Sequence, residues 1–294
     1  MRLEGSMVAI VTPMKDGAVD HGSLRELCEW QLAEGTDGII PCGTTGESAT
    51  LTARERYEVV KTVVAQVRGR ALVIAGAGSN ATHEAIEGVK AARELKADAA
   101  LVVTPYYNKP TQEGLFRHYQ ALWEAAHFPV VAYNVPSRTA VDLLPETVAR
   151  LVKAGAICGI KEATASMDRQ VQLVELCGRD GLAYLSGDDF TVLPYIACGG
   201  HGVISVVANI APRAMKALVV ACRAGDLATA LRLQVAMAEL NRMMFVETNP
   251  GPVKAGVALL GRAGPEIRLP LAPVSEASLA KVRAAMQRFG LKLA

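Results

Sequence analysis

Apolar and polar positions along the chain form two alternating textures. Short runs of Val, Ile, Leu and Ala close on glycine, proline or a small polar residue, and longer stretches between them repeat apolar residues every three or four positions. The short runs occupy residues 7–11, 38–41, 72–75, 99–103, 130–133, 157–160, 183–185 and 203–206. They are continuously apolar, not alternating, which predicts strands covered on both faces, as in a parallel sheet. The longer stretches, among them 24–32, 53–67, 82–95, 113–126 and 144–152, predict amphipathic helices. About eight strand–helix units, spaced roughly 20 to 35 residues apart, predict an α/β protein built as a (β/α)8 TIM barrel. A doubly wound open sheet is the alternative.

After Gly225 the pattern turns helical throughout. Asp226 is placed to cap a helix over 227–243 and Ser275 one over 277–288, which ends before Gly290. We divide the chain into a catalytic barrel, residues 1–224, and a C-terminal helical appendage, residues 225–294. No low-complexity linker separates them, so the appendage is expected to pack on the barrel.

Composition narrows the function. The 294 residues suffice for one barrel-sized domain with a small addition. Hydrophobic residues make up 51% and charged residues 20%, and 31 basic against 29 acidic side chains leave a net charge of +2 with no basic tract. That balance argues against nucleic acid or an anionic membrane as partner. Apolar runs stop well short of the roughly 20 residues of a membrane span, and residues 1–12 read as a first strand, not a leader. Six cysteines scattered singly suggest reduced core residues of a cytoplasmic protein.

Several familiar chemistries lack their motifs. The five histidines show no metal-ligand spacing and no G-x-S-x-G elbow is present, so neither a metal site nor serine acyl transfer is expected. Gly76-Ala77-Gly78-Ser79-Asn80-Ala81 matches a dinucleotide fingerprint, with Asp98 at a suitable distance. Asp98, however, precedes its strand, and a ribose-binding acid belongs at the far end, so no nucleotide is expected. Asp188 and Asp189 have no histidine beside them and are expected to cap a helix.

In a barrel, chemistry belongs where strands end at the C-terminal face. There the sequence places Gly43-Thr44-Thr45-Gly46 after the second strand, Tyr106-Tyr107-Asn108 after the fourth, Tyr133 through Arg138 after the fifth, Lys161 after the sixth, Gly187 after the seventh and Ile204 on the eighth. A lysine held in a dry pocket is deprotonated more readily and attacks carbonyls, although a strand-terminal lysine can equally be a solvated end. The two threonines and their turn can hold a small carboxylate, or can form an ordinary turn ahead of a helix capped by Thr52. Tyr107 and Tyr133 can relay protons or simply pack at the rim. Arg138 suits a second carboxylate or a surface ion pair.

Gly43-Thr44-Thr45-Gly46-Glu47, Pro105-Tyr106-Tyr107-Asn108, Tyr133 through Thr139 and Gly159-Ile160-Lys161-Glu162 together resemble the dihydrodipicolinate synthase family of class I, pyruvate-dependent aldolases. The likeness extends over essentially the whole chain, including Ser186-Gly187-Asp188-Asp189, Gly202 through Ser205 and Glu247-Thr248-Asn249-Pro250. It implies that Lys161 forms an imine with pyruvate and that the enamine attacks L-aspartate 4-semialdehyde, with no metal or nucleotide cofactor. It further implies Tyr133 as proton donor and acceptor, with Thr44 and Tyr107 completing a relay, Tyr107 entering a neighbouring subunit of a homotetramer built as a dimer of dimers. Thr45, Gly187 and Ile204 would hold the pyruvate part and Arg138 the semialdehyde carboxylate.

N-acetylneuraminate lyases and sugar-acid aldolases share this barrel and lysine, and a non-catalytic sensor could keep the pocket; Thr44 with Arg138 favours the semialdehyde reading. Ser48, Ala49, Asn80, Glu84 and Tyr106 match the family's allosteric lysine pocket. Ala53 and Arg56 stand where strongly regulated members carry histidines, and the extra cation predicts weak or absent inhibition by L-lysine.

Overall fold

Eight parallel strands close on themselves around a filled interior. The computed structural model describes residues 2–294. The barrel strands are β1 (Gly5–Ala9), β2 (Gly38–Ile40), β3 (Leu72–Gly76), β4 (Ala99–Val103), β5 (Val130–Asn134), β6 (Gly159–Glu162), β7 (Ala183–Ser186) and β8 (Gly202–Ser205). Each pairs with its sequence neighbours, and β1 pairs with both β2 and β8, so no strand edge is exposed. The closed sheet settles the choice between barrel and open sheet.

Helices α1 (His21–Ala33), α2 (Ala53–Val67), α3 (Thr82–Glu94), α4 (Gln112–Ala126), α5 (Pro145–Lys153), α6 (Met167–Cys177), α7 (Val192–Ala197) and α8 (Pro212–Arg223) follow the strands in turn. Local chemistry fixes their starts. Thr52 accepts the N–H of Glu55 at 3.2 Å while the Glu55 carboxylate accepts the N–H of Thr52 at 2.8 Å, a reciprocal cap worth about 1 kcal/mol. Asp226 and Ser275 cap α9 (Leu227–Met243) and α11 (Glu276–Arg288) as their spacing predicts, and α10 (Gly251–Leu259) lies between them. A small hairpin, Met14–Lys15 with Ala18–Val19, follows β1.

Because strand side chains alternate, the apolar runs fill two separate cores. Met7, Ala9, Ile40, Ile74, Leu101, Val131, Tyr133, Leu185 and Ile204 point into the barrel. Val8, Ile39, Val73, Val102, Ala132, Ile160 and Val203 face the helices. Residues of the C-terminal region, including Met237, Leu240, Val253 and Met286, belong to the same outer core as the barrel. The region from 225 onward therefore has no core of its own and is fused to the barrel.

Strand boundaries differ from the sequence reading most at the ends. β1 begins two residues earlier than expected, at Gly5, and β6 runs to Glu162, so Lys161 lies within a strand and not beyond it. Pairing explains the shift: Tyr133 aligns with Lys161 and Asn134 with Glu162, which carries the ladder past the point where charge suggests a stop.

Gly76 shows how tightly the barrel top is built. A Cβ added there would lie 1.9 Å from the Cys42 carbonyl oxygen and 3.0 Å from the Gly43 nitrogen, both backbone atoms of the turn that carries Thr44. Gly76→Ala is expected to cost about 2–3 kcal/mol and to lower Tm by about 3–5 °C in thermal unfolding. An unchanged Tm would contradict this close approach.

Candidate active site

Tyr133 and Lys161 are cross-strand neighbours whose side chains both enter the barrel. The lysine Nζ lies 4.3 Å from the centroid of the tyrosine ring. Both are nearly closed to solvent, Lys161 at 5% and Tyr133 at 6% exposure. Burial lowers the Lys161 pKa from 10.5 to about 8, with Asp189 acting to raise it and Arg138 to lower it further. The aromatic face favours the ammonium by about 2 kcal/mol or more in a desolvated site, whereas full burial shifts a lysine by up to about 3–5 pKa units, each worth about 1.4 kcal/mol. Desolvation wins, and the amine is poised to lose its proton near neutral pH.

The Tyr133 phenol is also shifted, upward by burial, while the nearby Arg138 charge and the Thr44 side chain hold the rise back. The turn bonds of this loop run from Gly46 N–H to the Gly43 carbonyl and from Glu47 N–H to the Thr44 carbonyl, both 3.1 Å, and do not use the N–H groups of Thr44 and Thr45. Thr45 is buried, and its Oγ1 accepts from Asn249 Nδ2 at 3.0 Å, leaving its own proton free to donate.

Gly187 keeps space open beside the amine: a Cβ there would lie 3.1 Å from Lys161 Cε and 2.8 Å from the Ala163 Cβ. Ile204 is buried on the inner face of β8. Arg138 sits in a short helix, Pro136–Thr139, and one of its terminal nitrogens donates to the Asn249 carbonyl at 3.3 Å. A cavity of about 320 Å3 opens above the strand ends, lined by Thr44, Ser48, Ala49, Tyr106, Arg138 and Asn249 among others.

Tyr107 stands apart. It is 88% exposed, at φ +72°. Of the effector-pocket residues, Ser48, Ala49 and Tyr106 line the cavity just described, whereas Glu84 lines a neighbouring one of about 440 Å3 that shares Arg56 and Gly78 with it. Asn80 joins the two regions, donating from Nδ2 to the Tyr106 carbonyl at 3.3 Å.

Asp188 and Asp189 do not cap the helix that follows them, whose start is at Thr191 with no side-chain cap. Asp188 closes the turn ahead of that helix, accepting from Phe190 N–H and Thr191 Oγ1. Asp189 instead accepts the N–H groups of Val206 and Val207, at 3.0 and 2.9 Å, and so clips the end of β7 to the end of β8. The reason is tertiary: those two amides begin a turn 17 residues away, which sequence proximity does not reveal. Among the described residues, no group of three or more His, Cys, Asp or Glu side chains could hold a metal.

Sequence reasoning assigned no role to Asn249, Glu47 or Lys254. All three reach the loop that carries Thr44 and Thr45, two of them from the C-terminal region. Only Lys254 leaves a visible signal, as the one charge in the otherwise apolar α10.

The family model described as the Dihydrodipicolinate synthetase family matches residues 2–289. A relative from Anaeromyxobacter dehalogenans, a 4-hydroxy-tetrahydrodipicolinate synthase, is 84% identical over 293 residues, covering 100% of this chain and 99% of its own. The crystal structure of dihydrodipicolinate synthase from Aquifex aeolicus superposes with a TM-score of 0.97 at 43% identity, covering 99% of both chains. That of the chloride-inhibited enzyme from Acinetobacter baumannii, complexed with pyruvate, gives a TM-score of 0.96 at 45% identity, covering 99% of this chain and 100% of that one. With a buried lysine, its tyrosine and the threonine turn all in place on the barrel these proteins share, the chain belongs to the dihydrodipicolinate synthetase family.

Proposed function

We propose that this protein is a lyase of lysine and diaminopimelate biosynthesis that condenses pyruvate with L-aspartate 4-semialdehyde to give 4-hydroxy-tetrahydrodipicolinate. The observation that carries the reading is the Lys161 amine, buried inside the barrel against Tyr133, with its pKa brought down to about 8. The neutral amine attacks the pyruvate keto carbon. The carbinolamine hydroxyl leaves as water once protonated, and the imine loses a proton from the methyl carbon to form the enamine. That carbon then bonds to the aldehyde carbon of the semialdehyde, whose oxygen takes up a proton, and the semialdehyde's own amino group attacks the imine carbon, closing the ring as Lys161 takes up a proton and leaves as the free amine.

Tyr133 is suited to each of these transfers, since burial keeps its phenol protonated at neutral pH until a reacting group takes the proton. Thr44 extends the path outward, and Tyr107 of the partner subunit completes it in a homotetramer; the exposure of Tyr107 in its own chain supports that placement. The Thr45 hydroxyl and the neighbouring turn hold the pyruvate carboxylate, Gly187 leaves room beside the amine, and the Ile204 backbone closes the far side. Arg138 receives the second carboxylate. These side chains supply every proton transfer, so the mechanism calls for no metal or nucleotide. Six free cysteines support a reducing, cytoplasmic setting.

Arg56 lines both the cavity that Thr44 and Arg138 border and the neighbouring one that Glu84 borders. A cation there opposes the ammonium of a bound lysine. L-lysine is therefore expected to inhibit weakly or not at all, and a titration with tight inhibition would refute this.

A coupled assay with pyruvate and the semialdehyde is expected to show turnover. Lys161→Ala should lose nearly all of it and should no longer be labelled when pyruvate is trapped with borohydride. Tyr133→Phe should lose roughly 10²-fold or more; activity within twofold of the parent refutes the relay. The pH dependence follows from the sign of the Lys161 shift. With a pKa near 8, about one amine in ten is neutral at pH 7, against about one in 3,000 for an unperturbed lysine. Imine formation at fixed pyruvate should rise about tenfold from pH 6 to 7 and level off above pH 8. A rate that still climbs at pH 10 would place the amine in water.

A further inference from the structure

Helix α10 is apolar along its length except for one residue, Lys254. Its side chain is 1% exposed, and its Nζ donates to Glu47 Oε1 at 2.5 Å and to the Thr12 carbonyl at 3.0 Å. The other Glu47 oxygen accepts the N–H of Arg268 at 3.1 Å. Two charges buried at this depth lose hydration that their attraction only partly returns, so aliphatic side chains would fill the same space at least as stably. What the pair adds is a fixed position.

The pair meets a segment that needs anchoring. Glu47 directly follows Gly43-Thr44-Thr45-Gly46 and holds φ at +57°, a conformation a residue with a Cβ adopts at a cost. Thr12, whose carbonyl Lys254 grips, donates from Oγ1 to the Gly46 carbonyl at 2.7 Å. One ammonium from the C-terminal region thus joins the loops after β1 and β2 at the C-terminal end of the threonine turn.

We propose that Lys254 is a positioning residue of the active site: through Glu47 and Thr12 it holds the 43–47 turn so that Thr44 meets Tyr133 and Thr45 faces the pyruvate carboxylate. This inference rests on the condensation described above. A purely structural pair and a positioning pair differ in what they do to kinetic constants once the fold is secured.

The double variant Glu47→Gln/Lys254→Met leaves no buried charge unpaired, and circular dichroism and Tm report whether it folds. In the folded variant kcat should fall at least tenfold and KM for pyruvate should rise at least threefold, while borohydride with pyruvate still labels Lys161. Parental kcat and KM in the folded variant overturn the proposal. Should the double variant not fold, Glu47→Gln alone decides, because a neutral amide keeps the side chain's volume but loses the charge that holds Lys254: a lower kcat per folded enzyme supports positioning, and parental constants overturn it. Failure of the functional reading looks different, since the parent protein would then not turn over pyruvate with the semialdehyde.

Discussion

An ammonium inside a closed barrel has no water to replace, and that single desolvation organises the chemistry of this protein. Eight parallel strands leave an interior too narrow for solvent and wide enough for side chains. Apolar residues fill it, and Lys161 enters near the open end with Tyr133 beside it. Strand alternation then separates two kinds of polarity. Inward-pointing Lys161 and Tyr133 face the barrel interior, whereas their strand neighbours Glu162 and Asn134 face outward and hydrogen-bond each other at 3.1 Å beneath the helices. A charged glutamate next in sequence to the lysine is thereby kept on the opposite face of the sheet.

The reactive pair is only as useful as the loops above it. Thr44 and Thr45 lie on a turn of small and polar residues that carries little apolar surface to pin it. The pinning comes from far along the chain: Asn249 on Thr45, Lys254 on Glu47, and Arg268, whose guanidinium pairs with Glu55 at the start of α2. Breaking a buried pair such as Lys254 with Glu47 from one side typically costs about 3–5 kcal/mol, a large share of the stability of a domain. The C-terminal helices are thus a wall of the site as well as a cover for the barrel.

Legibility followed the range of the interactions involved. Helix starts at Thr52, Asp226 and Ser275 were readable because a cap and its acceptor lie three residues apart. The eight strands were readable because burial on both faces demands uninterrupted apolar runs. The end of β6 was misplaced, since Lys161 and Glu162 look like a solvent boundary until the pairing with Tyr133 and Asn134 is known. Asp189 was assigned to the wrong partners for the same reason, its acceptor role being satisfied across two strand ends.

The sequence by itself determined the order of strands and helices and the set of polar residues carried at the strand ends, because periodicity and local capping are encoded within a few residues of one another, whereas closure into a barrel was settled by the strand pairing. Its motif pattern also singled out Lys161, Tyr133, Thr44, Thr45 and Arg138. Only the tertiary structure decided that the lysine is dry enough to lose its proton near neutral pH, that Tyr107 is exposed to solvent, and that Lys254 grips the threonine turn. Each of these depends on what surrounds a side chain in space, and solvent exclusion and contacts between residues some 200 positions apart are properties of the closed fold alone.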